Sequence, residues 1–180
     1  MARPIRLFVS ISPGLAPERE ALGQAVAELP ISVGWEIKYT PSPGEDAREA
    51  LDFVARCDLY LVVLGTDFAA PMGPEWRGAL GAGAPVLAYR KRVLHSPSAQ
   101  TLLRESDVAW TEFESSRELK AQVSRAVARA VLDRGEQFGL HMDDVEPLLA
   151  LVGTEEVEKL AGPDRRRGAG QGGVILGRGR

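Results

Sequence analysis

Three observations predict an α/β domain built on a parallel sheet. Five short apolar runs of strand length recur along the chain. Segments of helical periodicity separate them, and turn residues mark the junctions. The strongest run, Asp58 to Gly65, is apolar at nearly every position, as expected for a central parallel strand covered on both faces. This alternation implies helices on both faces and right-handed crossovers. The ligand crevice is then expected beyond the carboxyl ends of the strands, where the strand order reverses.

Taken in order, Ile5 to Ser10 reads as a buried strand, ended by the turn-rich segment Ser10-Ile11-Ser12-Pro13-Gly14. Pro17 to Leu29 follows as a helix, with Leu22, Val26 and Leu29 on one face. Pro17 suits the first turn, and Glu18 and Glu20 suit the positive end of the helix dipole. Gly34 to Tyr39 alternates as a strand. Pro41 to Gly44 reads as a loop, and Glu45 to Arg56 as a short helix with Ala47, Leu51 and Val54 inward. After the Asp58 to Gly65 strand comes a loop, Thr66 to Pro74. A small-residue helix from Glu75 to Gly83 leads to a buried strand from Pro85 to Tyr89. Pro97 to Arg104 reads as a helix and Val108 to Phe113 as the fifth strand. Ser115 or Ser116 caps a long helix with the stripe Leu119, Val123, Val127 and Val131.

The expected organisation is therefore an α/β domain over 1–134 and a helical extension over 135–161, with one or two helices between Asp143 and Leu160. A flexible Gly/Arg-rich tail is expected over 162–180. That tail has seven glycines in 19 residues and one apolar island, Val174-Ile175-Leu176.

Composition sets further bounds. The chain has 180 residues, 44% hydrophobic and 26% charged, which suits one globular domain with an appendage. Net charge is −3, but the segment from Gly162 to Arg180 carries +4, leaving −7 on the rest. An acidic body argues against a dedicated nucleic-acid binder. The single cysteine, Cys57, excludes an intramolecular disulfide and a cysteine-based zinc site, and it reads as a small packed hydrophobe. His95 and His141 lack metal-ligand spacing, so no metal site is expected. The apolar run Leu7 to Val9 is too short for a signal-peptide core, and no stretch approaches the roughly 20 apolar residues of a membrane span. A cytoplasmic protein without a membrane partner is expected.

Three segments are expected to converge on the crevice. The turn from Ser10 to Gly14 offers hydroxyls and a glycine that suit a phosphate or ribose, or that simply make a turn. Asp67 stands just past the central strand, where a carboxylate suits sugar hydroxyls or a local cap. Glu75, within Gly73-Pro74-Glu75-Trp76, opens a helix. A carboxylate there suits attack on an anomeric carbon, or simply complements the helix dipole. Trp35, Trp76 and Trp110 read as core, and Trp76 also stands where it could stack on a base. No phosphate-binding loop, dinucleotide fingerprint, nucleophile elbow or CxxC pair is found.

Several of these segments resemble a known group. Arg6-Leu7-Phe8-Val9-Ser10, Pro13-Gly14-Leu15 and Glu18-Arg19-Glu20-Ala21-Leu22 resemble the start of TIR-like domains of bacterial signalling and defence proteins. Cys57 through Gly65 resembles their central strand. Gly73-Pro74-Glu75-Trp76, continuing through Ala79 to Leu87, is similar to a motif of nucleoside deoxyribosyltransferases. The resemblance covers roughly residues 5–132. It implies a five-stranded flavodoxin-like sheet and a catalytic carboxylate at Glu75. In the one group that carboxylate serves NAD⁺ cleavage; in the other it attacks the nucleoside. It also implies a sugar-contacting acid at Asp67 and an upstream acid at Asp58. Two departures stand out: Thr66-Asp67-Phe68-Ala69-Ala70 replaces the usual aromatic-Gly pair, and Ser10-Ile11-Ser12 replaces two adjacent serines.

Two functions are therefore expected as alternatives. One is an N-glycosidic enzyme acting on NAD⁺ or a nucleoside without a cofactor. In it Glu75 is catalytic, Ser10, Ser12, Gly14, Asp67 and Trp76 bind substrate, and self-association assembles the site. The other is a non-catalytic TIR-like interaction module that self-associates or docks a protein partner through residues 168–180.

Overall fold

The computed structural model describes residues 3–42 and 44–160, with side chains as far as Gly153. The tail 162–180, with its expected docking role, lies outside the described residues. Five strands form one sheet: β1 (Ile5–Ile11), β2 (Trp35–Tyr39), β3 (Leu59–Leu64), β4 (Val86–Lys91) and β5 (Trp110–Phe113). All four pairings are parallel, in the order β2-β1-β3-β4-β5. This is a doubly wound, flavodoxin-like sheet, as the alternation of elements predicts.

The helices between the strands are α1 (Ala16–Ala27), α2 (Ala47–Val54), α3 (Met72–Ala82) and α4 (Pro97–Glu105). After β5 come α5 (Ser116–Leu132), the short α6 (Gly135–Phe138) and α7 (Met142–Leu160). Among the described residues no helix is long and apolar enough to cross a membrane.

The period of two in each strand sorts side chains onto two faces. Leu7, Val9 and Ile11 of β1, with Leu59, Leu61 and Val63 of β3, pack under α1 and α5. The stripe Leu119, Val123, Val127 and Val131 buries its α5 face there, as its spacing predicts. Phe8 of β1, with Tyr60 and Val62 of β3, points the other way, onto α2 and α3. Ser10 has the same parity as Phe8. The strand thus delivers a hydroxyl to the α3 side at its carboxyl end, and Ser12, two residues on, follows it.

Several expectations shift. The inward face of α2 is Ala50, Phe53 and Val54 rather than Ala47, Leu51 and Val54. Bulk decides here, since Phe53 packs near Phe8 with ring centroids 6.2 Å apart. Helix α3 begins at Met72, so Glu75 lies in its first turn rather than opening it. A short helix, α6, precedes α7, and the Asp143–Leu160 region is one helix despite Pro147 within it. Its Leu148 joins the α1/α5 core. Asp144 ties its start down: the carboxylate accepts from Ser32 N–H at 2.8 Å, Ser32 Oγ at 2.9 Å and His141 N–H at 2.9 Å.

Candidate functional site

The chain runs from β1 to the edge strand β2 and then returns to β3 on the other side of β1. The strand order therefore reverses between β1 and β3, and their carboxyl ends diverge there. A cleft of about 500 Å³ opens at this point. Its walls come from three loops and the helices that follow them, and include Ser12, Gly14, Arg19, Thr40, Ser42 and Met72.

Gly14 has φ +81°, a conformation that needs glycine, and it turns the chain from β1 into α1. Gly65, directly after β3, lies against Leu15, where a Cβ would come within 3.2 Å of the leucine side chain. Ser12 knits the two loops together: its Oγ donates to Asp67 O at 2.6 Å and accepts from Gly65 N–H at 2.9 Å. Arg19 stacks over the Tyr39 ring, 4.4 Å from its centroid, and brings a cation to the cleft wall.

Glu75 is fully buried and meets this cleft through one of its wall residues, Thr40. Ser10 Oγ donates to its Oε2 at 2.6 Å, and Thr40 Oγ1 donates to the same oxygen at 2.9 Å. Among the described residues, Oε1 has no hydrogen-bond partner. Burial raises the carboxyl's pKa above its usual range, and the Ser10 and Thr40 bonds oppose this without cancelling it. Thr40 and Met72, one helical turn before Glu75, both belong to the cleft wall, whereas Glu75 does not. The Tyr60 hydroxyl, also buried without a partner of good geometry, lies near Ser10 and Glu75.

The expected site residues thus divide. Ser10 and Glu75 meet directly, and Ser12 and Gly14 line the cleft. Asp67 does not face Glu75. Its Oδ1 accepts from Ser96 Oγ at 2.6 Å and Ser98 Oγ at 2.8 Å, and these bonds hold its pKa below the usual value. Asp67 is therefore an exposed tie between the β3–α3 loop and the start of α4. Trp76 does not reach the cleft either. Helical spacing turns it away from Glu75 into the core between α3 and the sheet, where it stacks on Trp110 with centroids 6.0 Å apart. Asp58 stands before β3, at the opposite, amino ends of the strands, and accepts from both terminal nitrogens of the Arg3 guanidinium at 2.7 Å. Cys57 is half-buried, and burial pushes its thiol up to about 11, as suits an inert packed cysteine.

Three participants escaped sequence reasoning. Thr40 follows an edge strand and precedes a proline, so it reads as turn punctuation. Continuing the β1–β2 register by one residue past Val9–Tyr39, however, sets it opposite Ser10. Arg19 and Met72 each reach the cleft from a helix whose face only the packed fold fixes. Glu18, read as a dipole partner, is buried and paired with Lys91 at 2.7 Å.

The fold and cleft define a flavodoxin-like α/β protein with a buried carboxyl under its switch point. No family model matches the sequence, and no curated protein matches it. Among solved structures, the metal-soaked Flv1 flavodiiron core from Synechocystis sp. PCC6803 is similar at 9% identity with a TM-score of 0.44. That alignment covers 87% of this chain and 38% of the Flv1 chain, so this chain spans well under half the length of its neighbour.

Proposed function

We propose that the protein cleaves the N-glycosidic bond of a nucleotide such as NAD⁺, or of a nucleoside, with Glu75 as the catalytic carboxylate. One observation carries this reading: a fully buried carboxyl with one oxygen fixed and the other unpartnered among the described residues, held by a hydroxyl, Thr40, that itself lines a cleft of about 500 Å³. Leaving a buried polar atom unpaired costs about 1–3 kcal/mol. A structural role would be served as well by an apolar residue of similar volume. The resemblance of Gly73-Pro74-Glu75-Trp76 to the deoxyribosyltransferase motif supports the same assignment.

In the reaction the bond between the anomeric carbon and the base nitrogen breaks, and the base leaves with the electron pair. Glu75 stabilises or captures the electron-poor carbon through Oε1, and water or an acceptor base completes the exchange. Met72 lines the same cleft, and its three side-chain torsions suit it to yield to a ligand. Arg19 and the turn at Gly14 suit the phosphate or ribose end of a ligand. The test is incubation with NAD⁺, or with a deoxynucleoside plus acceptor base, followed by chromatography for released base. Release that is lost in Glu75→Gln is the expected result.

A second reading, a self-associating interaction module, draws on the β4–α4 loop. Leu94 is 92% exposed there, beside Val93 at 40%. Large apolar side chains adjacent on a loop suit a contact with a second copy or another protein. Under this reading Leu94→Asp abolishes concentration-dependent association in sedimentation, while unchanged association removes this loop from consideration.

A further inference from the structure

We propose that Thr40 is the positioning residue for Glu75: its hydroxyl fixes Oε2, leaves Oε1 as the oxygen that reacts, and forms the boundary between carboxyl and cleft. The proposal rests on the glycosidic reading above. Among the groups bonded to the Glu75 carboxyl, Thr40 alone lines the cleft.

The direction of its proton follows from its other bond. Thr40 Oγ1 accepts from Ile11 N–H at 3.1 Å, standing in for a carbonyl that β2, ending at Tyr39, no longer supplies. The hydroxyl hydrogen is then free to point at Glu75 Oε2, 2.9 Å away. The backbone is held as firmly. Thr40 N–H donates to Val9 O at 2.9 Å, and the following Pro41 confines Thr40 to extended conformations. A β-branched side chain on such a backbone has few rotamers to choose from.

The consequence for Glu75 is an asymmetric carboxyl. Oε2 receives two donated hydrogen bonds, from Ser10 on β1 and from Thr40 after β2. A proton on the carboxyl is therefore directed to Oε1, and in the charged form Oε1 holds the uncommitted lone pairs. The titratable group that faces Glu75 from β3 is Tyr60, whose hydroxyl burial keeps protonated well above neutral pH. Among the described residues no cation pairs with the carboxyl, so burial and these hydroxyls govern its ionisation.

The experiment compares Thr40→Val, which removes the hydroxyl at nearly constant shape, with Thr40→Ser, which keeps it. Protein carrying ¹³C at the glutamate carboxyl is titrated by NMR, and the Glu75 signal is identified by its absence in Glu75→Gln. In T40V a bond to the charged form is lost, so the Glu75 titration moves to higher pH. In the same variant kcat falls roughly tenfold or more with KM changed far less. T40S restores both the titration and kcat. A T40V titration that superimposes on wild type overturns the proposal, as does a T40S titration displaced as far as that of T40V. If T40V does not fold, Thr40→Ala against T40S gives the same contrast. The two readings separate cleanly. A displaced titration in a protein that releases no base from any substrate keeps the tie between Thr40 and Glu75 but removes the glycosidic reading. An active protein with an undisplaced T40V titration removes Thr40 alone.

Discussion

At the scale of single residues, two carboxylates show how environment assigns opposite roles. Among the described residues Glu75 has no cation beside it, and burial lifts its pKa above the reference of 4.5. The protonated form is then the one folding favours. The stabilisation tied to that proton is complete below the unfolded value and is lost as pH rises through the folded value. Wild type is therefore expected to lose stability relative to Glu75→Gln as pH climbs above 4.5. Urea unfolding of both proteins across that range measures it, and parallel curves would contradict it. Asp58 is the reverse case. Burial would raise its pKa, but the hydrogen bonds from Arg3 and the Arg6 N–H outweigh that and hold it below 3.8. Its contribution is present above 3.8 and lost as pH falls through the folded value. Asp58→Asn is expected to cost roughly 1–3 kcal/mol at neutral pH, and the difference from wild type shrinks in acid. The resemblance implied a catalytic carboxylate at Glu75 and an upstream acid of the same site at Asp58. Chain position separates them: Asp58 precedes β3, at the amino ends of the strands, whereas Glu75 lies past the carboxyl ends.

At the scale of elements, regular burial made most of the fold legible. The continuous apolar run of β3 identified the central strand, and all four residues of the α5 stripe are buried, with Ala128 beside them. Where periodicity was weak, boundaries moved. Helix α3 is rich in small residues, with three glycines between Met72 and Ala82, and its start was placed three residues late. The face of α2 was misread because spacing alone does not rank Leu51 against Phe53. The docking of α7 left no sequence signal, because it depends on Ser32, a residue 112 positions from Asp144. In that contact burial would raise the Asp144 pKa, but the bonds from His141 and Ser32 prevail and keep it low. Asp144→Ala is expected to cost about 1–2 kcal/mol through the lost cap. Hydrogen exchange should quicken across the first turns of α7 while β3 stays protected. Uniform protection of α7 in the variant would show that Leu148 packing alone holds the helix.

At the scale of the whole molecule, the order β2-β1-β3 puts the cleft where it is. It brings the ends of three strands together so that Ser10, Thr40 and Glu75, far apart in sequence, share one buried oxygen. The alternation of strands and helices was enough to place the crevice and to bring Ser10 and Glu75 toward it. It could not show that Asp67 would be claimed by Ser96 and Ser98, or that Trp76 would be drawn into the aromatic core with Tyr60 and Trp110. Those outcomes depend on side-chain packing between elements that periodicity does not rank. The central claim is that the carboxyl under the switch point does chemistry on a glycosidic bond. It is tested most directly by incubating wild type and Glu75→Gln, at high protein concentration, with NAD⁺ and separately with a deoxynucleoside plus acceptor base. Base release by wild type and a loss of roughly 10²-fold or more in the variant are expected. Equal release by both proteins, or none by a folded wild type with either substrate, would contradict it.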